Sequence, residues 1–345
     1  MDNKIVFVAH SYHKKTRSCD FIVDYLRKFY DVEVVYEEEW ETQKKIDWKN
    51  FDDSYKAVVI WQMFPSDENF EKISNKNVVF FPMFDHVEKW HFRKWYECKN
   101  VKIVSFSLAL HKKLQNLGFN SMYVQYFIEP DEFAPGNDDE VFFWQRVSKI
   151  NIKILNKIFK NSSVKIHIHK TVDPGQSYVA PSQEDEKKFG ITYSEWFENK
   201  EDLQELIKSK GIYVAPRYSE GIGMSFLEAM AQGKVVVANN KPTMNEYIQN
   251  GKTGFLCNYK CPKSLNLSNL KEIQQNTYAY AKAGYEKWLI ERARIIDFIN
   301  EPPSTNELKL WVKILLPILF IERKKIIKFK LGSNASLTIF GTKIV

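Results

Sequence analysis

Residues 213–239 read YVAPRYSEGIGMSFLEAMAQGKVVVAN. An apolar run closes at Ala215-Pro216, a short loop carries Gly221 and Gly223, a helical pattern covers about 223–232, and a second apolar run fills 234–239. Both runs are continuous rather than alternating, as expected for strands buried on both faces of a parallel sheet. In open parallel sheets, ligands bind beyond the carboxyl ends of the strands. A helix starting there presents unpaired N–H groups and a partial positive charge, which suit a phosphate or diphosphate. Glycines at the junction let a ligand approach the backbone. Glu220 precedes the helix, and Glu228 sits about one and a half turns inside it, placed to accept hydrogen bonds from hydroxyls such as a ribose diol.

The same pattern runs through the chain. Apolar runs at 4–10, 32–37, 56–64, 77–84, 101–107 and 121–127 alternate with helical stretches such as 18–30 and 108–118, the latter closed by Gly118. Residues 128–140, with two prolines, a glycine and a cluster of acids, read as a linker. Beyond them come strands at 141–146, 164–170, 190–196, 211–216 and 234–239. Helices are expected at 150–160, 200–209 and 223–232, then one long helix over roughly 269–299 that ends at Glu301-Pro302-Pro303. Strand–helix alternation of this kind implies parallel sheets covered by helices. The 345 residues suggest about two domains. The expected architecture is α/β: two Rossmann-like parallel-sheet domains facing a cleft. Residues 1–134 form the first domain and 135–284 the second. Residues 285–302 form a helix returning to the first, and 303–345 a basic, amphipathic tail.

The segment 216–256, PRYSEGIGMSFLEAMAQGKVVVANNKPTMNEYIQNGKTGFL, resembles the E-x7-E signature of the retaining GT-B glycosyltransferases of the family-four group. The matching positions are Pro216, Glu220, Gly221, Gly223, Leu227, Glu228, Ala229, Met230, Ala231, Gly233, Glu246, Ile248, Gly251, Thr253, Gly254 and Leu256. Segment 124–135 is similar to that family's interdomain segment, and 141–149 to its strand ending in Gly-Arg followed by a lysine, with Gln145 in place of the glycine. The resemblance implies a nucleotide-sugar donor, UDP-linked in preference to GDP-linked, bound by the second domain. It implies that Glu228 holds the ribose and Glu220 contacts the donor sugar. The amides from Gly221 through Ile222, Gly223, Met224 and Ser225 would face the diphosphate. Arg146 and Lys149, with Lys153 as the alternative to Lys149, would supply cations to the leaving group. His86, with Asp85 at the end of the 77–84 run, stands where family members often carry a histidine near the sugar. Glu195 or Trp196 would border the base. The family's glycine pair after the first strand is replaced by AHSYHKKTRS (9–18). Neither a metal nor a cofactor is implied.

Other motifs read less well. NGKTGF (250–255) lacks the earlier glycine of a P-loop, since position 246 is Glu, so it reads as a turn. GIGMSF lacks the third glycine of a dinucleotide fingerprint. On one continuous helix Glu220 and Glu228 would stand about 12 Å apart, too far for a glycosidase pair. The four cysteines, Cys19, Cys98, Cys257 and Cys261, form no zinc-like set and read as reduced thiols.

Of the net charge of +7, residues 301–345 carry +5, from eight Lys/Arg against three Glu. The remainder has no basic footprint for nucleic acid. Residues 310–321 are nearly all apolar and are followed by Arg323, Lys324, Lys325, Lys328 and Lys330. That pattern suits the surface of an anionic bilayer, so 308–330 is expected to place the protein on the inner face of the cell membrane. The first apolar run is too short for a signal peptide, so a cytoplasmic, peripheral protein is expected. The function expected is transfer of a hexose-type sugar to a glycan or lipid-linked glycan acceptor in bacterial surface polysaccharide (capsule or lipopolysaccharide) synthesis. The alternatives are a catalytically silent GT-B binding domain and a nucleotide-sugar hydrolase or phosphorylase.

Overall fold

Six of the apolar runs form one parallel sheet: β1 (Lys4–His10), β2 (Asp31–Glu37), β3 (Ala57–Trp61), β4 (Val78–Phe81), β5 (Lys102–Ser105) and β6 (Ser121–Tyr123), in the order β2-β1-β3-β4-β5-β6. A second parallel sheet holds β7 (Asn137–Trp144), β8 (Lys165–His169), β9 (Thr192–Ser194), β10 (Lys210–Val214), β11 (Val235–Asn239) and β12 (Phe255–Cys257), in the order β12-β11-β10-β7-β8-β9. The computed structural model describes residues 3–304, 307–314, 338–339 and 342–343. The chain divides into two compact units, 1–124 with 291–345, and 125–290. Each sheet has one point where the strand order reverses, between β1 and β3 and between β7 and β10.

The continuous runs are strands because both faces are covered. Ile5 to Ala9, Ala57 to Ile60, and Val235 to Ala238 are all fully buried. Helix ends follow the expected chemistry. Ser107 caps the Leu108–Leu117 helix by accepting from the Leu110 amide (3.3 Å), and Gly118 closes it at φ +94°. The Asn250–Gly254 stretch is a turn leading into β12, closed by Gly251 N–H donating to the Gly254 carbonyl (2.8 Å).

Three expectations are corrected. The acidic end of the presumed linker is strand: β7 begins at Asn137, not at 141. Its acids are compensated from the flanking strands, Glu140 by Lys210 (2.6 Å) and Asp139 by Lys165 (3.9 Å). The long helix is two helices, Leu270–Glu291 and Ala293–Asn300, divided at Arg292. The first buries Ile273, Ala281 and Trp288 in the second unit, with Trp288 edge-on to Tyr126 (5.1 Å). The second buries Ile295 and Ile299 in the first unit, where Tyr30 donates to Asn300 (3.1 Å) and Arg292 lies over Tyr25 (4.6 Å). The helix divides where the core it serves changes. A capped helix, Gln183–Phe189, also lies in a stretch given no element from sequence.

The start of the tail packs on protein. Leu308 and Val312 are buried in the core of the first unit, and the Lys309 amide donates to the Leu117 carbonyl (3.3 Å). Leu310 and Ile314 are exposed on the 310–314 helical segment. The rest of the segment expected at a membrane, 315–330, lies outside the described residues. No helix among the described residues is long and apolar enough to cross a membrane.

Candidate active site

The order reversal of the second sheet lies between β7 and β10, which pair with Phe142 opposite Tyr213 and Phe143 opposite Val214. Arg146 follows β7 by two residues, and Arg217 follows β10 by three. The loop after β10 carries Glu220 to Gly223 and enters the Met224–Ala231 helix. The N-cap residue, Gly223, has no side chain with which to cap the first-turn amides. Gly223 is the N-cap at φ +88°, a conformation that favours glycine. A Cβ there would lie 1.9 Å from the Phe226 ring. The glycine is required by the turn and by the helix's own phenylalanine, not only by room for a ligand.

The loop is braced by the segment after β11. Asn239 donates to the Tyr218 carbonyl (2.7 Å), the Glu220 amide to the Pro242 carbonyl (3.4 Å), and the Thr243 hydroxyl to the carbonyls of Glu220 (3.3 Å) and Ile222 (3.4 Å). Tyr259 ties the same strand ends together, donating toward the carbonyls of Ala215 and Val237 (3.0 Å each).

Tyr213 marks where the candidate residues converge. It is buried, stacked on Phe142 (5.7 Å), and its hydroxyl has no well-formed hydrogen bond. Burial raises its pKa above the usual phenol value. The nearby Ser225 hydroxyl and Arg146 oppose that shift, while Glu220 and Glu228 add to it. Arg146, Glu220, Ser225 and Glu228 thus all act on one buried hydroxyl near the carboxyl end of β10. Glu220, Ser225 and Glu228 are all partly buried.

Arg146 is held by Asp173, whose Oδ1 accepts from its Nε (2.8 Å) and forms an ion pair with its Nη2 (2.8 Å), and it lies over the Trp144 ring (4.8 Å). Asp173 Oδ2 also accepts from Arg217 Nη2 (2.5 Å). Lys149 and Lys153 are exposed, Lys149 in the turn at 147–150 and Lys153 in the first turn of the Ile152–Ile158 helix. Glu195 pairs with Lys170 (2.8 Å), and Trp196 is 63% exposed. His86 belongs to the first unit. It is exposed on the short Phe84–Val87 helix after β4, edge-on to Trp90 (6.3 Å). In the replaced loop after β1, residues Tyr12–Thr16 form a helix and His10 stacks on Trp40 (5.3 Å). Sequence reasoning missed Tyr213, Arg217, Asp173 and Thr243. Arg217 and Thr243 lie inside the segment 216–256 but are not among its matching positions. Among the described residues, no group of three His, Cys, Asp or Glu is placed to hold a metal ion.

Two Rossmann-like units with a candidate site at the switch point of the second define the class: an α/β protein of the GT-B fold. Solved structures share it. The apo form of the lipopolysaccharide outer core galactosyltransferase WaaB is 13% identical with a TM-score of 0.55, covering 84% of this chain and 99% of that one. Sucrose-phosphate synthase of Thermosynechococcus elongatus is 9% identical (TM-score 0.59; 86% and 98%), and Anabaena HepE in complex with UDP and glucose is 13% identical (TM-score 0.57; 86% and 99%). At these identities the likeness shows the fold. Residues 178–281 match the family model of glycosyl transferases group 1, so the span from before β9 into the Leu270–Glu291 helix is similar to that group and includes Glu220 and Glu228. No curated protein matches the sequence. The fold and the family match together support a glycosyltransferase.

Proposed function

We propose that the protein is a retaining glycosyltransferase that moves a hexose-type sugar from a nucleotide-sugar donor to a glycan or lipid-linked glycan acceptor in bacterial surface polysaccharide synthesis. The observation that carries this reading is the switch point between β7 and β10, where Arg146 follows β7 and the loop after β10 carries Glu220 and the glycines into the Met224–Ala231 helix that bears Glu228. Glu228 accepts from the ribose hydroxyls. The loop and helix amides from Gly221 to Ser225 and the Arg146 guanidinium neutralise the diphosphate, which gains charge as it leaves. Glu220 accepts from hydroxyls of the donor sugar. The acceptor oxygen bonds to the anomeric carbon on the face from which the diphosphate oxygen departs, and the acceptor's proton passes to the leaving phosphate. In this reading no side chain forms a covalent intermediate and no metal takes part.

UDP is the first donor nucleotide to test, given that HepE, a neighbour in fold, was solved with UDP and with UDP-glucose. A catalytic role for His86 rests on the resemblance alone, which leaves the second cation open between the exposed Lys149 and Lys153. Membrane attachment rests on the apolar and basic pattern of residues 308–330, and with Leu308 and Val312 buried in the first unit we assign it to the part from 315 onward. It is tested by liposome flotation of the full chain against a chain ending at residue 314, which keeps Leu308 and Val312 in their core. Equal flotation of the two would end that part of the proposal.

The function itself is tested with Glu220→Gln. The variant should keep its melting temperature and lose most sugar transfer. Near-normal transfer by the folded variant would show the assigned role to be wrong.

A further inference from the structure

Asp173 brings together two arginines that are distant in sequence. Its carboxylate accepts from Nε of Arg146 and Nη2 of Arg217, pairs with Nη2 of Arg146 (2.8 Å), and its own amide donates to the Arg146 carbonyl (2.9 Å). Each guanidinium carries five N–H donors in a fixed fork. One carboxylate against two guanidinium groups leaves the triad with an excess positive charge. The side chains retain 23%, 29% and 18% exposure for Arg146, Arg217 and Asp173, so the triad is reachable from solvent. The two arginines are at one level of the sheet: Phe143 pairs with Val214, and each arginine lies three residues beyond its member of that pair. Glu220 follows Arg217 by three residues, and the charge of Arg146 is felt at Tyr213 together with those of Glu220 and Glu228.

We infer that Arg217, and not Lys149, is the second cation on the diphosphate, and that Asp173 is the positioning residue that holds the Arg146 and Arg217 forks toward it. The inference rests on the nucleotide-sugar reading above. A planar fork gives two parallel bonds to phosphate oxygens, whereas an ammonium on an exposed turn gives a point charge with no fixed direction. Asp173 cancels one of the two positive charges. Its return is orientation: without it, two like-charged side chains would separate into solvent.

The test is calorimetric titration of the full chain with UDP and UMP, GDP and GMP, and ADP and AMP. The wild type should bind at least one diphosphate more tightly than its monophosphate. Arg217→Ala should lower that preference by roughly tenfold to hundredfold. Arg217→Lys, which keeps the charge and guards against a folding failure of the alanine variant, should recover only part of it. Lys149→Ala should leave it within about twofold, as expected for an exposed lysine that makes no phosphate contact. Asp173→Ala separates orientation from charge. Bulk electrostatics alone would make it bind diphosphate more tightly, whereas a positioning role makes it bind more weakly. An unchanged preference in folded Arg217→Ala and Arg217→Lys, its loss in Lys149→Ala, or tighter binding by Asp173→Ala would overturn the inference while leaving the donor reading standing. Binding of no nucleotide by the wild type would instead remove the donor reading, and this inference with it.

Discussion

The Thr243 hydroxyl donates to the Glu220 carbonyl at 3.3 Å, from a side chain with no exposed surface. The residue proposed to touch the donor sugar is thus aimed by the loop of the neighbouring strand. The same hydroxyl reaches the Ile222 carbonyl at 3.4 Å, so one short side chain spans the turn before the helix. Both bonds are long for O–H donors, and their value lies in direction more than in strength. Thr243→Val should cost about 1 kcal/mol of stability and a larger share of transfer rate, with Thr243→Ser restoring both. Melting temperature and turnover measured side by side check this. A valine variant of full activity would remove Thr243 from the account.

Gly223 is the tightest point of that turn. Its φ of +88° disfavours a side chain, and an added Cβ would meet the buried Phe226 ring at 1.9 Å. Gly223→Ala should destabilise the protein by about 1–3 kcal/mol and displace the first turn of the Met224–Ala231 helix. Denaturant midpoints together with nucleotide affinity read both effects.

Lys102 is wholly buried in the first unit, where its ammonium donates to the carbonyls of Phe298 (2.7 Å), Ile299 (3.1 Å) and Glu301 (2.7 Å). Burial pushes its pKa down to about 8, with Glu301 opposing. The three carbonyls at the negative end of the Ala293–Asn300 helix are suited to the charged form. Lys102→Met keeps the bulk and strands the carbonyls. It should lower stability by about 2 kcal/mol, read as a shifted urea midpoint. An unchanged midpoint would contradict the capping role.

His167 and His169 flank Ser194 in the second unit. His167 Nε2 and His169 Nδ1 lie 2.9 and 2.8 Å from its hydroxyl, and His167 Nδ1 lies 2.8 Å from Thr192 Oγ1. Burial lowers both pKa values to about 4, with Lys210 adding to the shift at His167. The unfolded chain therefore takes up these protons first, near pH 6.5. The stability that the neutral rings contribute is full above pH 6.5 and is lost as the pH falls toward 4, by up to about 3 kcal/mol for each ring. Imidazole resonances of His167 and His169 that stay at their neutral positions down to pH 5 would agree. Titration near pH 6.5 would not.

The strands were legible because parallel strands covered on both faces leave unbroken apolar runs, as at Ile5–Ala9 and Val235–Ala238. The extra turn of β7 was not, since Asn137 to Glu140 are polar and are made strand by lysines on β8 and β10 that only the fold brings near. The division at Arg292 leaves little trace in a helical pattern, because both sides are good helix and only their partners differ. Glu220 and Glu228 were legible from one short segment. Arg217 and Asp173 were not, because their meaning depends on a contact across 44 residues of chain. Tyr213 reads locally as another strand residue.

The most direct measurement of the central claim is a thermal-shift panel, in EDTA, with UDP, GDP, ADP, CMP and NAD, each with and without a sugar where one exists. A donor site predicts that one sugar-carrying nucleotide raises the melting temperature, by the equivalent of about 2.7 kcal/mol at a hundred times its Kd, and that Glu228→Ala abolishes the shift. No shift with any of them would favour a silent binding domain, and a shift with NAD alone would contradict the glycosyltransferase reading outright.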